Sequence, residues 1–324
     1  MEPVRVGVIG VGHLGYHHAR ICAELPEAEL VGVVDINEER AAAVGEDMSV
    51  PYFTDIDHFF EVAKPDAVSI VVPTSLHYEI ACKAIKLGAN VLIEKPVTTT
   101  VEEAEELLRL AAEKRCVLQV GHVERFNGAV QYVRKILNPP HFIQSRRMGP
   151  FTPRATDVGV VMDLMIHDID IILSLVHSEI SSISALGRSI KSDFEDVASA
   201  QMAFTNGAMA HILVSRVAER RLRTLEIMEP TRYITLNYET QDVTIYRCVR
   251  QNGRGLVEIV EHPVFPKYEP LRLELQHFVL CVKEGRQPLV GIADGKRALE
   301  VAIAILRQIH QGGQSDSIEA VAST

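Results

Sequence analysis

Three short segments of this 324-residue chain combine residue types and spacings that chemistry requires. They are the glycine turn GVGHLG (10–15), the strand end EKP (94–96) and the polar stripe in DLMIHDID (163–170). A glycine turn that opens a helix binds phosphate, an ammonium stabilises a developing oxyanion, and an imidazole beside a carboxylate moves a proton. Whether these three chemistries belong together depends on the elements that carry the segments.

The glycine turn lies between a β-rich run, Val4–Ile9, and a helical pattern at 13–25. The first glycine permits the tight turn, the second allows backbone to approach a pyrophosphate, and the third lets helix and strand pack closely. We therefore expect a dinucleotide at the N-terminus of this helix. An alternative interpretation is that the turn serves packing alone. The turn residues predicted to bind the cofactor are Gly10, Gly12, His13, Leu14 and Gly15.

A carboxylate at the end of the second strand indicates which dinucleotide is bound. Asp35 follows Gly15 by twenty residues, where it would accept hydrogen bonds from the adenosine ribose 2′- and 3′-hydroxyls. A carboxylate there repels a 2′-phosphate, and the adjacent Ile36 and Asn37 supply no cation. The sequence therefore predicts NAD as the cofactor, in preference to NADP.

The first third of the chain alternates strands and helices. Apolar strands separated by helices predict a parallel sheet covered on both faces, with right-handed crossovers. We place this doubly wound, Rossmann dinucleotide-binding domain at residues 1–122. The predicted strands are 4–9, 30–34, 67–72, 90–93 and 117–120, and the helices between them are 13–25, 38–47, 76–87 and 101–114.

Two further segments stand at the ends of strands in this sheet, VVPTSLH (71–77) and LIEKP (92–96). In open α/β sheets, ligands bind beyond the carboxyl ends of the strands, so both segments are expected to border the cofactor. A proline ends each strand and fixes the turn that follows. The residues predicted to face the cofactor here are Pro73, Thr74, His77, Glu94 and Lys95.

Lys95 is the residue of these strand ends with the clearest chemical use. Its ammonium could hydrogen-bond a substrate hydroxyl and stabilise the alkoxide that develops as hydride leaves. Glu94 could orient the ammonium or balance its charge. The alternative is a solvated ion pair at the surface, which would contribute little.

Residues 160–176 form a helical pattern that is apolar nearly all round. Asp163 precedes His167 by one turn and can hold one ring nitrogen, which leaves the other free to accept a hydroxyl proton. The stripe could instead be a satisfied core network. Asp163 and His167 could also ligate a metal with His122, but hydride transfer to NAD needs no metal, and none is predicted. The stripe consists of Asp163, His167, Asp170 and Ser174.

The pattern changes after residue 122. About seven short strands between 180 and 260, followed by helices at 271–283 and 295–311, predict an α+β substrate domain at 123–311. We expect an open, mainly antiparallel sheet with helices on one face and a second copy of the chain on the other, giving a dimer or tetramer. The last helix could pack on the first domain, and the tail 312–324 is expected to be flexible.

Composition limits the remaining classes. A formal net charge of −10 argues against nucleic acid or an anionic membrane as partner. The chain has no apolar run long enough to span a bilayer and leads directly into a strand pattern, so no signal peptide is predicted. Its five cysteines lack C-x-x-C spacing, which favours a reducing cytoplasm.

Together, GVIGVGHLGYHHA, the segment from VVPTSLH to EKPV, and DLMIHDIDI resemble the Gfo/Idh/MocA family over roughly residues 4–311. By that resemblance Lys95 contacts both substrate and nicotinamide ribose, and the Lys95–Pro96 bond is expected to be cis. The resemblance also implies that His167 is the general acid/base, preceded by Asp163. Many members have glycine where this chain has Met165, which puts the substrate in doubt.

The resemblance extends to the substrate pocket. GHVERFN (121–127) matches a segment that lines the pocket in this family, which implies substrate contacts from Glu124, Arg125 and Asn127. Arg125 could pair a phosphate or carboxylate bidentately, or form only a surface salt bridge. Arg216 is a further candidate with weaker support.

These features predict an NAD-dependent dehydrogenase that oxidises a secondary sugar hydroxyl to a ketone. Two segments, GHVERFN and DLMIHDIDI, resemble the nucleotide-sugar branch, in which UDP-N-acetylglucosamine is oxidised at C3. Oxidation of a free polyol such as an inositol is the alternative within enzymes. A non-catalytic NAD sensor or scaffold is the alternative of another class, since fold alone does not decide function.

Overall fold

The computed structural model describes residues 2–152, 158–251 and 255–312. The chain forms two compact units, one from residues up to 126 together with 268–299, the other from 127–267 together with residues from 300 onward. The domain limits expected at 122 and 311 stay predictions. Beyond residue 312, the tail expected to be flexible lies outside the described residues.

The first unit contains a six-stranded parallel sheet in the order β3-β2-β1-β4-β5-β6. The predicted doubly wound sheet is therefore confirmed, and the strand order reverses between β1 and β4, where such sheets open a crevice. The strands are β1 (Val4–Ile9), β2 (Ala28–Val34), β3 (Tyr52–Phe53), β4 (Ala67–Ile70), β5 (Asn90–Glu94) and β6 (Leu118–Gly121).

Helices cover this sheet and begin where the sequence offers caps. Asn37 caps α2, and Thr100 with Glu103 forms a capping box at the start of α5, which satisfies the first backbone N–H groups. A short strand, β3, and the helix after it were not predicted. The helices are α1 (His13–Glu24), α2 (Glu38–Met48), α3 (Ile56–Ala63), α4 (His77–Lys86), α5 (Val101–Lys114) and α8 (Pro270–Glu284).

Helix α8 joins the core of the first unit although it follows most of the second unit in sequence. Leu275, Phe278 and Val279 are fully buried in one apolar cluster with β1 residues such as Val6 and with Leu92 of β5. The sheet that carries the glycine turn is therefore completed by a helix from near the end of the chain.

The second unit is an eight-stranded sheet in the order β14-β13-β12-β11-β7-β10-β9-β8. β7 and β10 pair in parallel and all other neighbouring strands of this sheet are antiparallel, which confirms the mainly antiparallel second sheet. The strands are β7 (Phe142–Met148), β8 (Ile180–Arg188), β9 (Val197–Phe204), β10 (Met209–Ser215), β11 (Leu222–Met228), β12 (Arg232–Asn237), β13 (Asp242–Gln251) and β14 (Gly255–Glu261).

The two faces of this sheet differ. Strand residues such as Ile143, Ile212 and Ile227 are fully buried beneath helices, whereas Met209 and Met228 on the opposite face are 53% and 42% exposed. Alternation along each strand produces this contrast. The helices of this unit are α6 (Gly128–Ile136) and α7 (Ile166–Val176), and α9 (Ile292–Gly312) begins in the first unit and ends in the second.

The turns follow the sequence signals. Thr205, Asn206 and Gly207 form the turn that joins β9 to β10, and Gly207 has a φ of 85°, a conformation that favours glycine. In the described part of the chain, no helix is both long and apolar enough to cross a membrane.

The helix predicted at 160–176 differs from a continuous α-helix. Val161–Met165 forms a single π-helical turn, and α7 begins only at Ile166. π-turns of this kind are frequent at functional sites because they rotate the side chains that precede them. Asp163 lies inside this turn, so the α-helical spacing assumed for the polar stripe holds only from residue 166 onward.

Candidate active site

The glycine turn has the shape that the sequence predicts. Gly10 has a φ of 84°, and a Cβ there would lie 2.4 Å from the Val71 carbonyl oxygen. A Cβ on Gly15 would lie 1.9 Å from the Gly10 carbonyl oxygen, so helix and turn can approach only without a side chain. A Cβ on Gly12 would meet nothing within 4 Å. Two glycines therefore build the turn, and the third faces open space that suits a close ligand.

Asp35 lies directly after β2 and is buried. Its carboxylate accepts hydrogen bonds from the backbone N–H groups of Val11, at 3.0 Å, and Asn37, at 2.9 Å. Arg40, on the first turn of α2, places Nη1 3.3 Å from the carboxylate and is half exposed. Sequence reasoning missed this guanidinium because it considered only the residues adjacent to Asp35.

A cavity of about 330 Å³ lies beside these groups. Its lining combines apolar side chains from several loops with the Asp35 carboxylate and the Arg40 guanidinium, which fits an adenine ring and its ribose. The open space at Gly12 borders the same cavity and fits a pyrophosphate. The residues present therefore fit the adenosine half of a dinucleotide. Of the other predicted cofactor contacts, His13, Leu14 and Pro73 are exposed and Thr74 is half-buried.

The strand end EKP begins with a buried carboxylate. Glu94 is 7% exposed, and its Oε2 accepts a hydrogen bond of 3.2 Å from the backbone N–H of Lys95. Lys95 is half-buried, and the Lys95–Pro96 peptide bond is cis, as predicted. Burial opposes ionisation of Glu94, but His18 and Lys95 together hold the pKa of its carboxyl below the usual value.

The partner of Glu94 is His18, which sequence analysis did not include among the candidate site residues. His18 is fully buried, with Nε2 3.4 Å from Glu94 Oε1 and Nδ1 2.8 Å from Ser69 Oγ. The burial of His18 could have been predicted from sequence, because Gly15, His18 and Cys22 recur at helical spacing on the buried face of α1. What the sequence could not give is that this face meets the end of β5.

His77 is also buried, at 1% exposure. Its Nδ1 lies 2.9 Å from the Pro96 carbonyl oxygen and its Nε2 lies 2.9 Å from the Val72 carbonyl oxygen. Burial lowers the pKa of His77, although the two carbonyls act in the opposite direction. The His77 imidazole therefore contacts both predicted strand-end segments, VVPTSLH and LIEKP. Its predicted contact with the cofactor stays a prediction.

Gly121→Ala tests how tightly the Glu94 carboxylate is enclosed. A Cβ at Gly121 would lie 2.6 Å from Glu94 Oε1 and 2.8 Å from its Cδ, so we expect a loss of about 1–3 kcal/mol in the free energy of unfolding. Chemical denaturation measures it. Gly291→Ala is the control, since its added Cβ meets nothing within 4 Å. Equal stability of the two variants would contradict the expected enclosure.

In the second unit, the polar stripe divides into two parts. Asp163 and His167 are half-buried, whereas Asp170 and Ser174 are buried, and Ser174 Oγ donates a hydrogen bond of 2.7 Å to the Ile171 carbonyl. Met165 is fully buried. The first part of the stripe is thus the accessible one, and the second part belongs to the interior of the unit.

A buried ion pair beside His167 was not predicted. Arg147 of β7 donates from Nε to Asp168 Oδ2 at 2.9 Å and from Nη2 to Oδ1 at 3.3 Å. The Arg147 guanidinium also lies 4.9 Å from the centre of the Tyr238 ring. Bidentate geometry of this kind fixes the rotation of a helix relative to a strand. Asp168 escaped sequence reasoning because it lies outside the stripe.

The predicted substrate residues occupy different surroundings. Glu124 is half-buried, and Arg125 is buried with Nη2 3.6 Å from Asp294 Oδ1. Asn127 is buried, caps α6 and donates a hydrogen bond of 2.9 Å to the Tyr238 carbonyl. Arg216, the weaker candidate, donates from Nε to Asp196 at 2.7 Å and is buried. Their contacts with a substrate stay predictions.

Metal ligation was the alternative for the histidines. No group of three histidine, cysteine, aspartate or glutamate side chains suited to a metal occurs among residues 2–152, 158–251 and 255–312. His122, the third ligand considered, is buried behind β6.

A Rossmann sheet with a dinucleotide turn, joined to an open mixed sheet, defines an NAD-binding oxidoreductase. Residues 4–122 match an oxidoreductase family with an NAD-binding Rossmann fold, and residues 119–229 match the C-terminal domain of the same family. The chain belongs to the Gfo/Idh/MocA family of oxidoreductases.

Several relatives match along most of their length. UDP-N-acetylglucosamine 3-dehydrogenase of Acidithiobacillus ferrooxidans is 36% identical over 307 residues, which cover 94% of this chain and 97% of that protein. A solved structure of that enzyme gives a TM-score of 0.89 at 35% identity and covers 96% of this chain and 99% of its own. scyllo-Inositol 2-dehydrogenase (NAD(+)) of Bacillus subtilis is 30% identical and covers 95% of each chain.

Proposed function

We propose that this protein is an NAD-dependent dehydrogenase that oxidises a secondary hydroxyl of a nucleotide sugar to a ketone, with C3 of UDP-N-acetylglucosamine as the first candidate. The observation that carries the proposal is the 36% identity to UDP-N-acetylglucosamine 3-dehydrogenase over 94% of the chain. The glycine turn, the Asp35 cavity and the Lys95 strand end support the reaction class. When bound, NAD supplies the carbon that accepts the hydride.

The cofactor is held by backbone and by one carboxylate. The turn from Gly10 to Gly15, including His13 and Leu14, binds the pyrophosphate through its N–H groups. Asp35 accepts hydrogen bonds from the adenosine ribose, and Pro73 and Thr74 border the crevice at the next strand end. His77 and Glu94 are the remaining proposed contacts at these strand ends, and both are buried.

Asp35→Ser is expected to shift cofactor preference from NAD towards NADP. The substitution removes the charge that repels a 2′-phosphate and releases Arg40, 3.3 Å away, to bind it. Removing a like-charge contact near the surface is worth on the order of 1 kcal/mol or more, which is about tenfold in relative affinity. Titration of NADH and NADPH fluorescence measures the ratio. Asp35→Glu, which keeps the charge, is the control, and an unchanged ratio in Asp35→Ser would refute this role.

Two groups act on the hydroxyl. Lys95 donates a hydrogen bond to the substrate oxygen and stabilises its developing negative charge. His167 accepts the hydroxyl proton, and Asp163 holds the other ring nitrogen and so keeps the imidazole basic. Both carboxylate and imidazole are accessible, in contrast to the buried Asp170 and Ser174 of the same stripe.

The substrate is recognised by the segment after β6. Glu124, Arg125 and Asn127 are the proposed contacts, and the Arg125 guanidinium is the group suited to a phosphate. Met165 stands where many family members have glycine, and its side chain is fully buried. Free inositols are the second candidate substrates, because the relative from Bacillus subtilis acts on scyllo-inositol.

A direct comparison of substrates tests the proposed function. Purified protein with NAD+ is assayed for NADH formation with UDP-N-acetylglucosamine, scyllo-inositol and myo-inositol, and each compound is also tested for thermal stabilisation. We expect turnover and stabilisation with the nucleotide sugar alone. Turnover with an inositol and none with the nucleotide sugar would favour the second candidate. Binding of NADH without any turnover would favour a sensor or scaffold.

The open face of the second sheet is the proposed contact between copies. Met209, Met228 and Val260 lie in one cross-strand row on that face, exposed by 53%, 42% and 46%. A depression of about 740 Å³ is lined by Met228 of this row together with residues of β12, β13 and β14 and of the turn after β11. Exposed apolar side chains in one row support a contact between copies. Analytical ultracentrifugation should show a dimer or tetramer, and a stable monomer at micromolar concentration would exclude it.

We place the protein in the cytoplasm, with a small-molecule substrate and no nucleic acid or membrane partner. Support comes from the acidic net charge of −10 and from the five cysteines, which form no disulfide although all lie in the described residues.

A further inference from the structure

Two buried histidines hold the backbone around Lys95 from opposite sides. Before Lys95, the Glu94 carboxylate accepts the Lys95 N–H at 3.2 Å and lies 3.4 Å from His18 Nε2. After Lys95, the Pro96 carbonyl oxygen lies 2.9 Å from His77 Nδ1. The histidines come from α1 and α4, so two helices meet at one strand end.

Each histidine is itself anchored to the sheet. His18 Nδ1 lies 2.8 Å from Ser69 Oγ on β4, and His77 Nε2 lies 2.9 Å from the Val72 carbonyl oxygen after β4. Imidazoles at 0% and 1% exposure are costly to bury, and an aliphatic side chain of similar size would fill the same space more cheaply. Their polar contacts therefore need an explanation beyond packing.

The site is also shaped to accept the carboxylate. Gly121, paired with Glu94 across β5 and β6, leaves the space that a Cβ would occupy 2.6 Å from Glu94 Oε1. Glycine at the end of β6 thus admits the Glu94 carboxylate, whose Oε1 lies 3.4 Å from His18 Nε2. The same carboxylate fixes the N–H of Lys95 and hence the direction in which this residue leaves the strand.

We propose that His18 and His77 are positioning residues for Lys95, and that with Glu94 they form a clamp on the peptide groups that flank it. The clamp rests on the proposed function, in which the Lys95 ammonium contacts the substrate. His18 acts through Glu94, and His77 acts through the Pro96 carbonyl. Neither histidine touches the reacting atoms.

The clamp requires one specific ring nitrogen of each histidine, whereas a packing role does not. His18 must contact Glu94 through Nε2, and a neutral His77 must carry its hydrogen on Nδ1, facing Pro96. Asparagine places an amide nitrogen near the position of Nδ1, and glutamine places one near Nε2. His18→Gln and His77→Asn therefore keep the clamp contacts, whereas His18→Asn and His77→Gln keep only the contacts with Ser69 and Val72.

The experiment compares these four variants with the wild type. We expect kcat to fall about 10²-fold in His18→Asn and His77→Gln, the size of effect that follows from displacing a reacting group by about 1 Å. His18→Gln and His77→Asn should retain most of the activity, and the affinity for NADH should be similar in all four. If the histidines serve packing alone, the same substitution, either asparagine or glutamine, should retain the higher kcat at both positions. That result would overturn the clamp.

A second readout does not depend on the substrate. The rate at which acetic anhydride acylates Lys95, measured by peptide mass spectrometry relative to the exposed Lys86, should change only in the two variants that lose the clamp contacts. If the wild type oxidises no sugar but acylation of Lys95 changes only in His18→Asn and His77→Gln, the proposed function fails and the clamp stands. If the wild type is active and acylation of Lys95 is the same in all variants, the clamp fails alone.

Ser69→Ala keeps the test decisive if the histidine variants do not fold. It removes the hydroxyl 2.8 Å from His18 Nδ1 without adding an amide. A lower kcat with unchanged NADH affinity and altered acylation of Lys95 supports the clamp. Wild-type kcat and acylation in Ser69→Ala, together with unfolded histidine variants, would assign His18 to stability only and so overturn the clamp.

Discussion

Lys95→Ala is expected to lower kcat about 10²–10³-fold, as loss of one preorganised donor to a developing oxyanion does. Lys95 directly follows Glu94, the buried last residue of β5. Cofactor binding should be nearly unchanged, because the glycine turn and Asp35 are formed by other strand ends. Steady-state kinetics and NADH fluorescence titration measure the two quantities separately.

Lys86→Ala is the matched control for this variant. Lys86 lies on the last turn of α4, is exposed and belongs to the same unit, so its removal changes the net charge equally without touching a strand end. Turnover of Lys95→Ala at the wild-type rate would remove Lys95 from the mechanism. A matching loss of NADH affinity would instead indicate that the first unit is damaged.

His167→Asn is expected to lower kcat about 10²–10⁴-fold, the range in which a positioned general base contributes. Asparagine keeps a polar side chain of similar size but cannot accept the hydroxyl proton. The residual rate should also lose the rise with pH that a titrating base produces. A kcat profile between mildly acidic and mildly alkaline pH measures both effects.

His177→Asn is the control for this variant. His177 is exposed at the end of α7 with a φ of 49°, a conformation that asparagine adopts readily. The double variant Lys95→Ala with His167→Asn gives a further check. Residues that serve one chemical step are strongly non-additive, so the double loss should be much smaller than the product of the single losses. Fully multiplicative losses would separate the two residues into different steps.

The first sheet could be predicted in detail because its information is local. Apolar strands such as Val91 to Ile93 cannot be exposed on either face, and Gly10 and Gly15 leave no other shape for the turn. The doubly wound parallel sheet, the dinucleotide-binding turn and the place of Asp35 after the second strand all followed from such residues. The short β3 was missed because two residues carry no periodicity.

The surroundings of the proposed catalytic residues could not be predicted in the same way. His18 and Glu94 are 76 positions apart in sequence, and the pair exists only because α1 and β5 meet in the folded sheet. Arg147 and Asp168 are likewise joined by tertiary structure. The π-turn over Asp163 depends on backbone geometry that side-chain spacing does not reveal.

The place of α8 in the chain affects how the protein can be synthesised. Phe278 and its neighbours pack against β1 in the core of the first sheet. A ribosome, adding about 5–20 residues per second, makes them only after all the strands of the second sheet. A nascent chain must therefore keep a dinucleotide-binding sheet with one uncovered apolar side until translation is nearly over. Truncation before residue 270 should yield insoluble protein, and chaperone demand should be highest late in synthesis.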